Sequence, residues 1–470
     1  MNTLYLNKAQ VACFANDNDA FIPEMWAQEG LAILEEQMVV ANLVHRDFED
    51  EVKDFGDVVN TRRPGTFKIR RKKDGTTLSQ QDANATNVPV PLDQWFYESF
   101  TIKDGEASKS FQDLVITYLR PAMSAIATAV DRAVLGRVHN FIRTPAKRVG
   151  RLQNLDSTNG KQYVLEARQV LNINKAPVDG RTIILAPESE TALLNVDLFI
   201  KANERGDSGI ALENAELGRV LGFKTYMAQN VNSLSYASVS ASEVTEGTIT
   251  NIAAAGASGS QACTAGAEPE NGEYAVVVGN DQPTYITAHT STTAMTLNEA
   301  NKYATGALAV VSVYNKCDVN GDFAAGYSEA ISVDGFAAVA PAVGQLVAFG
   351  SGASRRVYTI IESELTGTLE QGVYLDRPLE VALSDGDYCF PGPAGQLNLA
   401  FHRDALALVT RPLAQPANQL GVMSFVTSYN NITMRVTMQY DIQEGGTVVN
   451  LDILAGVAVL DQDLAVVFLG

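Results

Sequence analysis

The sequence predicts an α+β fold interrupted by an inserted all-β domain, and three patterns carry that expectation. Behind Pro121, the apolar residues Met123, Ile126, Ala127, Val130, Ala133, Val134 and Phe141 recur at helical spacing and form one stripe. From Ile432 to Val459 apolar positions recur at every second residue on either side of a Glu-Gly-Gly turn, the period of an antiparallel pair with one buried face. Between Gln229 and Pro393 the composition shifts to Ser, Thr, Ala and Gly, with short apolar runs punctuated by turn residues.

At 470 residues the chain exceeds one ordinary core, so two or three compact units are expected. Apolar residues make up 46% and charged residues 19%, a globular composition. The Met1 end has no basic segment leading into an apolar run, so no secretory signal is expected there. The most apolar stretch, Leu451 to Gly470, holds Asp452, Asp461 and Asp463, each costly at a bilayer centre, so no membrane span is expected. Cys13, Cys263, Cys317 and Cys389 lie far apart with no C-x-x-C pair, which argues against a zinc site and a disulfide framework and fits a reducing interior.

In chain order, residues 21–45 carry Trp26, Leu34, Met38 and Ala41 at helix-compatible spacing, with Pro23 tolerated in the first turn and Gly30 as a weak point. Phe67 and Ile69 then alternate with Lys68 and Arg70, and an Asp74-Gly75 turn leads toward Val88-Pro89-Val90-Pro91. Alternating prolines cannot feed a central ladder, so residues 57–100 read as a long two-stranded arm that needs something to lie on. Ser110 and Asp113 resemble a capping box for a short helix ending before Pro121. The helix after Pro121, about twenty residues or roughly 30 Å, has the length of a structural spine. Residues 161–228 alternate in type, with a helix at 162–173, a buried strand at 181–187, a helix at 188–195 and a turn with a strand at 218–230. The 229–393 block reads as a small barrel or sandwich, after which strand-rich core sequence resumes at 396. In the closing pair, Ile432, Met434, Val436, Met438, Tyr440 and Ile442 share one face with Val449, Leu451, Ile453, Ala455, Val457 and Val459 following.

Few residues invite chemistry. His45, His139, His289 and His402 are scattered, none with a second His or Cys at ligand spacing. His402-Arg403-Asp404 matches the start of a kinase catalytic-loop signature, but Val409 stands where that signature needs Asn, and no phosphate-binding Gly loop accompanies it. Asp318, Asn320, Asp322 and Glu329 fall at positions 1, 3, 5 and 12 of an EF-hand loop, but Phe323 replaces its turn Gly and the flanks are strand-like, which favours an acidic hairpin tip. No nucleophile-base pairing is legible, so no catalytic, cofactor-binding or metal residue is expected and the chain is not read as an enzyme.

The charge is uneven. The formal net charge is -19, and the 229–393 block holds 18 acidic against 5 basic residues. Against this stands one concentrated basic run, Arg62, Arg63, Lys68, Arg70, Arg71, Lys72 and Lys73, interrupted by no acid before Asp74. Three uses compete: a nucleic-acid site, a solvated hairpin, and an arm that grips a neighbouring copy of the same acidic chain. Nucleic-acid binding would need a sustained positive field, and here no companion motif or stacking platform supports it while the rest of the chain repels phosphate. Complementarity between a basic arm and an acidic body is the favoured reading.

The element order, from N-terminal arm and helix through extended loop, long helix and mixed block to terminal strand pair, resembles the major capsid proteins of tailed bacteriophages, the Hong Kong 97-type fold. "GDVVNTRRPGTFKIRRKKDG" is similar to the start of their extension loop, "SFQDLVITYLRPAMSAIATAVDRAVL" to the approach into their spine helix, and "NLAFHRDALALVTRPL" with "LDILAGVAVLDQDLAVVFLG" to their closing segments. The β-rich block is similar in position and character to the insertion domain of P-twenty-two-type coat proteins. The resemblance implies a division into 1–56 (N-terminal arm and helix), 57–103 (extension loop and start of the P-domain sheet), 104–150 (spine helix), 151–228 (first part of the A-domain), 229–393 (inserted domain), 394–427 (A-domain return) and 428–470 (terminal strand pair). It implies a shell protein that assembles with itself into hexamers and pentamers. Scaffolding protein and portal would be its assembly partners in the bacterial cytoplasm, and double-stranded DNA would be enclosed non-specifically within the virion. The alternatives are another phage structural or surface β-protein and a nucleic-acid-binding protein using residues 62–73. Under the resemblance the seven basic residues form an inter-subunit contact.

Overall fold

The computed structural model describes residues 22–47, 58–63, 86–103, 118–142, 145–152, 155–200, 217–231, 317–334, 343–350, 356–365, 371–391, 395–416, 422–429, 431–443 and 445–470, with isolated positions in the 69–77 turn and strand backbones between 233 and 313.

Helix α1 (Ile22–Gln37) is shorter than the 21–45 stretch its apolar spacing predicts. The chain leaves the helix because the backbone N–H groups of Val39, Val40 and Ala41 turn to a carboxylate elsewhere, that of Asp131. Gly30, a weak helix former, sits where the α1 face is closest to its neighbours: a Cβ there would stand 3.1 Å from Met434 Cε and 3.3 Å from Met123 Sδ. Strands β1 (Val58–Arg63) and β2 (Thr86–Pro91) pair antiparallel over six positions, from Val58↔Pro91 to Arg63↔Thr86. On its return limb the arm ends at Pro91, short of the 57–100 reading. Strand β3 (Gln94–Lys103) leaves it for a sheet, because Phe96, Phe100 and Ile102 have a core to face.

Residues 110–113, the expected cap, lie outside the described residues. Helix α2 (Arg120–Gly136) carries Pro121 in its first turn, and every member of the expected stripe is buried. It breaks at Arg137 and Val138 before the short helix α3 (His139–Ile142), which carries Phe141. The alternating block follows the sequence pattern, with β4 (Arg148–Gly150), α4 (Gly160–Ile173), β5 (Arg181–Leu185), α5 (Pro187–Leu194), α6 (Asp197–Ile200), β6 (Arg219–Val220), β7 (Phe223–Met227) and β8 (Ser233–Leu234). Arg181 closes the end of α4: its Nε donates to the Pro177 carbonyl, Nη1 to Asn172 Oδ1 and Nη2 to the Ala176 carbonyl, all within 2.8 Å.

The 229–393 block is two β units rather than one. Strands β9 (Gly247–Ile249), β10 (Gly259–Ala262), β11 (Tyr274–Val277), β12 (Pro283–Ser291), β13 (Ala294–Leu297) and β14 (Val311–Val313) form a sheet of order β10-β13-β12-β11-β14-β9. Strands β15 (Cys317–Val319), β16 (Ile331–Asp334), β17 (Leu346–Phe349), β18 (Arg356–Leu365), β19 (Gln371–Leu375) and β20 (Tyr388–Pro391) close into a barrel. Val319, Ile331, Val333, Phe349, Tyr358, Ile360 and Val373 fill it.

The return of the chain completes two sheets from β21 (Gly395–His402), β22 (Leu406–Arg411), β23 (Met423–Tyr429), β24 (Ile432–Asp441), β25 (Gly446–Val459) and β26 (Ala465–Leu469). One runs β4-β26-β21-β5-β7-β6, with β8 also on β21. In the other, β3 lies along one edge of β25, while β24 and then β22 share the opposite edge, with β23 beyond β24. Helices α1 and α2 cover this second sheet, burying Met434, Val436, Met438, Val449, Leu451 and Ile453 against Leu34, Met123, Ile126 and Val130.

Two expectations for the hairpin fail. Tyr440 (51% exposed) and Ile442 (85%) are not core residues, because the strand pair outruns the helices that cover it. On the supposedly solvated face, Asp452 is fully buried, and Arg435 reaches it with both Nε (3.0 Å to Oδ1) and Nη2 (2.5 Å to Oδ2). Among the described residues no helix is long and apolar enough to cross a membrane.

Candidate inter-subunit surface

The two-stranded arm is anchored at its base and open toward its tip. Strand alternation puts Val59 and Val90, 4% and 0% exposed, on one face, where they pack on Ala407 and Val409 with Leu92, Ala458 and Leu460 at the margin. Gly456 permits that approach: a Cβ there would lie 2.3 Å from the Pro91 carbonyl oxygen. Asn87 donates to Asn60 Oδ1 at 2.8 Å across the ladder. This is the support the arm needs, since an isolated pair of strands is marginal. Of the seven basic residues, Arg62 and Arg63 close the far end of the ladder opposite Asn87 and Thr86. Arg71 and Lys72 are exposed beside Ile69, which is 99% exposed, and Gly75 turns the chain at a φ of +83°. Lys68, Arg70 and Lys73 lie outside the described residues.

A second feature was invisible in the sequence pattern. The end of the spine, the start of β3 and the barrel meet in a buried polar joint. Asp376 and Arg377 form an ion pair at 3.1 Å with side chains 0% and 5% exposed, Arg377 also reaches Glu380 at 2.9 Å, and its Nη2 donates to the Val357 carbonyl. Asp376 accepts the Thr359 N–H at 2.8 Å, and Gln94 Nε2 donates to the Asp376 carbonyl at 2.5 Å. The Arg377 guanidinium also lies 4.3 Å from the Tyr358 ring centroid. Burial pulls Arg377 down, but Asp376 and Glu380 outweigh it and hold the group above its ordinary value. Burial holds Arg137 below its own, with Asp376 opposing, and raises Asp93, with Arg137 opposing. His139, also buried here, is pushed down to about 3, by burial first and the positive charge of Arg377 second, so its Nδ1–H donates to the Gly136 carbonyl at 2.7 Å from a neutral ring.

The other motifs resolve into local architecture. The 318–329 segment is sewn to the loop after β19. Phe323 and Leu383 exchange backbone hydrogen bonds at 2.9 Å, Gly321 N–H donates to Asp385 Oδ1, and Asp385 N–H donates to Asp322 Oδ1. Two of its carboxylates thus serve backbone donors or strand positions, and among the described residues no group of three His, Cys, Asp or Glu side chains could hold a metal ion. In His402-Arg403-Asp404, the His402 ring accepts the Asp404 N–H at 3.3 Å and Arg403 reaches Asp47 at 2.8 Å, a turn cap and a surface pair.

No family model matches the chain. No curated protein matches it either. Among solved structures the chain is similar to one from Mycobacterium phage Che8, at 14% identity and a TM-score of 0.43, covering 92% of this chain and 91% of that one. It is also similar to the capsid of the cyanophage P-SCSP1u, at 13% identity and 0.42 over 90% and 88% of the two chains, and to the capsid of Ralstonia phage GP4, at 8% and 0.41 over 93% and 90%.

Proposed function

We propose that this chain is the major capsid protein of a tailed double-stranded DNA phage, a Hong Kong 97-type subunit. It would build an icosahedral shell from hexamers and pentamers of itself, with scaffolding protein and portal as assembly partners in the host cytoplasm. The observation that carries the reading is the arm: Val59 and Val90 fix its base to the parent sheet, while Ile69, Arg71 and Lys72 are left to solvent at its tip. An exposed apolar side chain flanked in sequence by cations has its natural partner on another surface, and the acidic excess of the chain makes a second copy the complementary one. The order of elements adds support, with a long helix across one sheet, a second mixed sheet and a β insertion between strands β8 and β21 of that second sheet. In this reading the acidic body leaves the genome confined rather than bound, because like charge opposes adhesion of DNA to the wall.

The test is replacement of residues 64–85 by a two-residue Asn-Gly turn, which removes the tip and leaves every Val58–Arg63 pairing partner in place. The shortened chain is expected to remain folded by circular dichroism and to form no shells or capsomer-sized rings by electron microscopy under conditions where the full chain forms them. Normal shells from the shortened chain would end the reading. The basic run also favours a nucleic-acid-binding alternative, which predicts tight DNA association falling steeply with salt. A titration between low and moderate ionic strength separates the two.

A further inference from the structure

The four cysteines are remote in sequence, yet two of them meet. Cys317 in β15 and Cys389 in β20 are direct cross-strand partners, both inside the barrel at 1% and 0% exposure, and both are thiols. Directly opposed antiparallel residues bring their Cα atoms to about 4.5–5.5 Å, inside the roughly 4.4–6.8 Å span of a disulfide. Their side chains necessarily share a face, here the core-facing one. Their location is the point where the barrel closes, its first strand meeting its last. Among the described residues that seam pairs Cys317↔Cys389 and Asp318↔Tyr388 and continues through the Val319 N–H to the Asp387 carbonyl and the Gly386 N–H to the Val319 carbonyl, both at 2.8 Å, so a bond between the two sulfurs would lie at the described start of the seam.

We propose that Cys317 and Cys389 are an oxidation site, converted by peroxide-class oxidants to a disulfide that staples the barrel shut. One thiol takes an oxygen from hydrogen peroxide, giving a sulfenic acid and water. The second sulfur then displaces the hydroxyl as a second water and forms the S–S bond, so two thiols are oxidised by two electrons and one peroxide is reduced. Burial raises the Cys389 thiol well above its ordinary value, with Cys317 adding to the shift. The reactive thiolate is therefore scarce while the seam is closed. Reaction then follows local opening where β15 meets β20, a sub-global event short of unfolding the barrel. Closing so large a loop is where a cross-link restricts the unfolded chain most. This inference does not depend on the capsid reading.

The experiment treats the full chain with hydrogen peroxide under native conditions, quenches it, and counts thiols in denaturant before peptide mapping. Two of the four thiols should be lost together, with a mass decrease of two hydrogens and a linked peptide pair containing Cys317 and Cys389. A sub-denaturing dose of urea should speed the loss. Cys317→Ser should instead stop at a sulfenic acid on Cys389 that dimedone traps. Intact thiols at both positions after exposure that oxidises surface methionines, or linkage to Cys13 or Cys263 instead, would overturn the proposal.

Discussion

Asp131 accepts the backbone N–H of Ala41 at 2.9 Å, across 90 positions of sequence, and the same carboxylate takes the N–H groups of Val39 at 3.0 Å and Val40 at 3.3 Å. The spine helix thereby ends the helix before it, supplying acceptors for a chain reversal in the middle of the largest core. Burial raises the carboxyl to about 6, the three N–H donors opposing the rise. A folded-state value above the unfolded one means that the native state holds the extra proton between about pH 4 and 6. This group's contribution to stability is thus full below about pH 4 and is lost as pH rises to about 6, a change on the order of 3 kcal/mol. Asp131→Asn should destabilise the subunit by about 1–3 kcal/mol, since its NH2 group puts a donor where a carboxyl oxygen faces backbone N–H groups. Urea midpoints taken from pH 4 to pH 7 should show the wild-type advantage shrinking with pH, and a pH-independent difference would refute the assignment.

His139 works in the opposite direction. Its folded value of about 3 lies below its ordinary 6.5, so the unfolded chain binds the proton first. The stabilisation is complete above about pH 6.5 and is lost as pH falls toward 3, on the order of 5 kcal/mol over the whole window. His139→Asn keeps a donor for the Gly136 carbonyl and removes the titration. The variant should be slightly weaker than wild type at pH 7 and should match or exceed it at pH 5. Parallel stability curves for the two proteins would show that His139 is not the acid-sensitive group.

Gly136 tests how closely the barrel sits on the spine. In a helix interior, alanine is favoured over glycine by about 1 kcal/mol. Here a Cβ would lie 2.8 Å from Thr359 Oγ1 and 3.0 Å from Asp376 Oδ2, both held in the polar joint. Gly136→Ala should therefore destabilise despite its better propensity, by about 1–3 kcal/mol in the range of overpacked sites. A stabilised variant in thermal melts would mean that the barrel and the spine are not in register as described.

These three sites mark where the sequence stopped being readable. The α2 stripe, the 162–195 alternation and the β24–β25 pair were legible because each is set by local period, with Val436 and Leu451 facing inward for the same reason that Arg435 does not. The partners of Asp131 and Cys317, and the Gln94 that reaches Asp376, lie far along the chain, and local spacing carries no information about them. Asp131 did leave one sign: it falls four residues after Ala127, on the apolar stripe itself, where a carboxylate must find donors. The joint at Asp376 and Arg377 left none, because an acidic-basic pair in a Gly-punctuated strand region reads as surface. The basic run was visible as composition. The anchor that makes it an arm, Val59 and Val90 on Ala407 and Val409, was not.

The arm yields the prediction that separates fold from assembly. Arg71 and Lys72 are exposed, so reversing their charge should leave the subunit's own fold intact. Surface substitutions of this kind usually fall within about 0.5 kcal/mol. The double variant Arg71→Glu, Lys72→Glu should therefore unfold at the wild-type urea midpoint while its assembly, followed by light scattering and sedimentation, slows or stops, because a like-charged tip now meets an acidic neighbour. Added salt should partly restore assembly of the variant and weaken that of the wild type, since screening relieves repulsion in one and attraction in the other. Unchanged assembly in both proteins at low salt would remove electrostatic complementarity as the arm's role, leaving Ile69 and the backbone of the ladder as what a neighbour recognises.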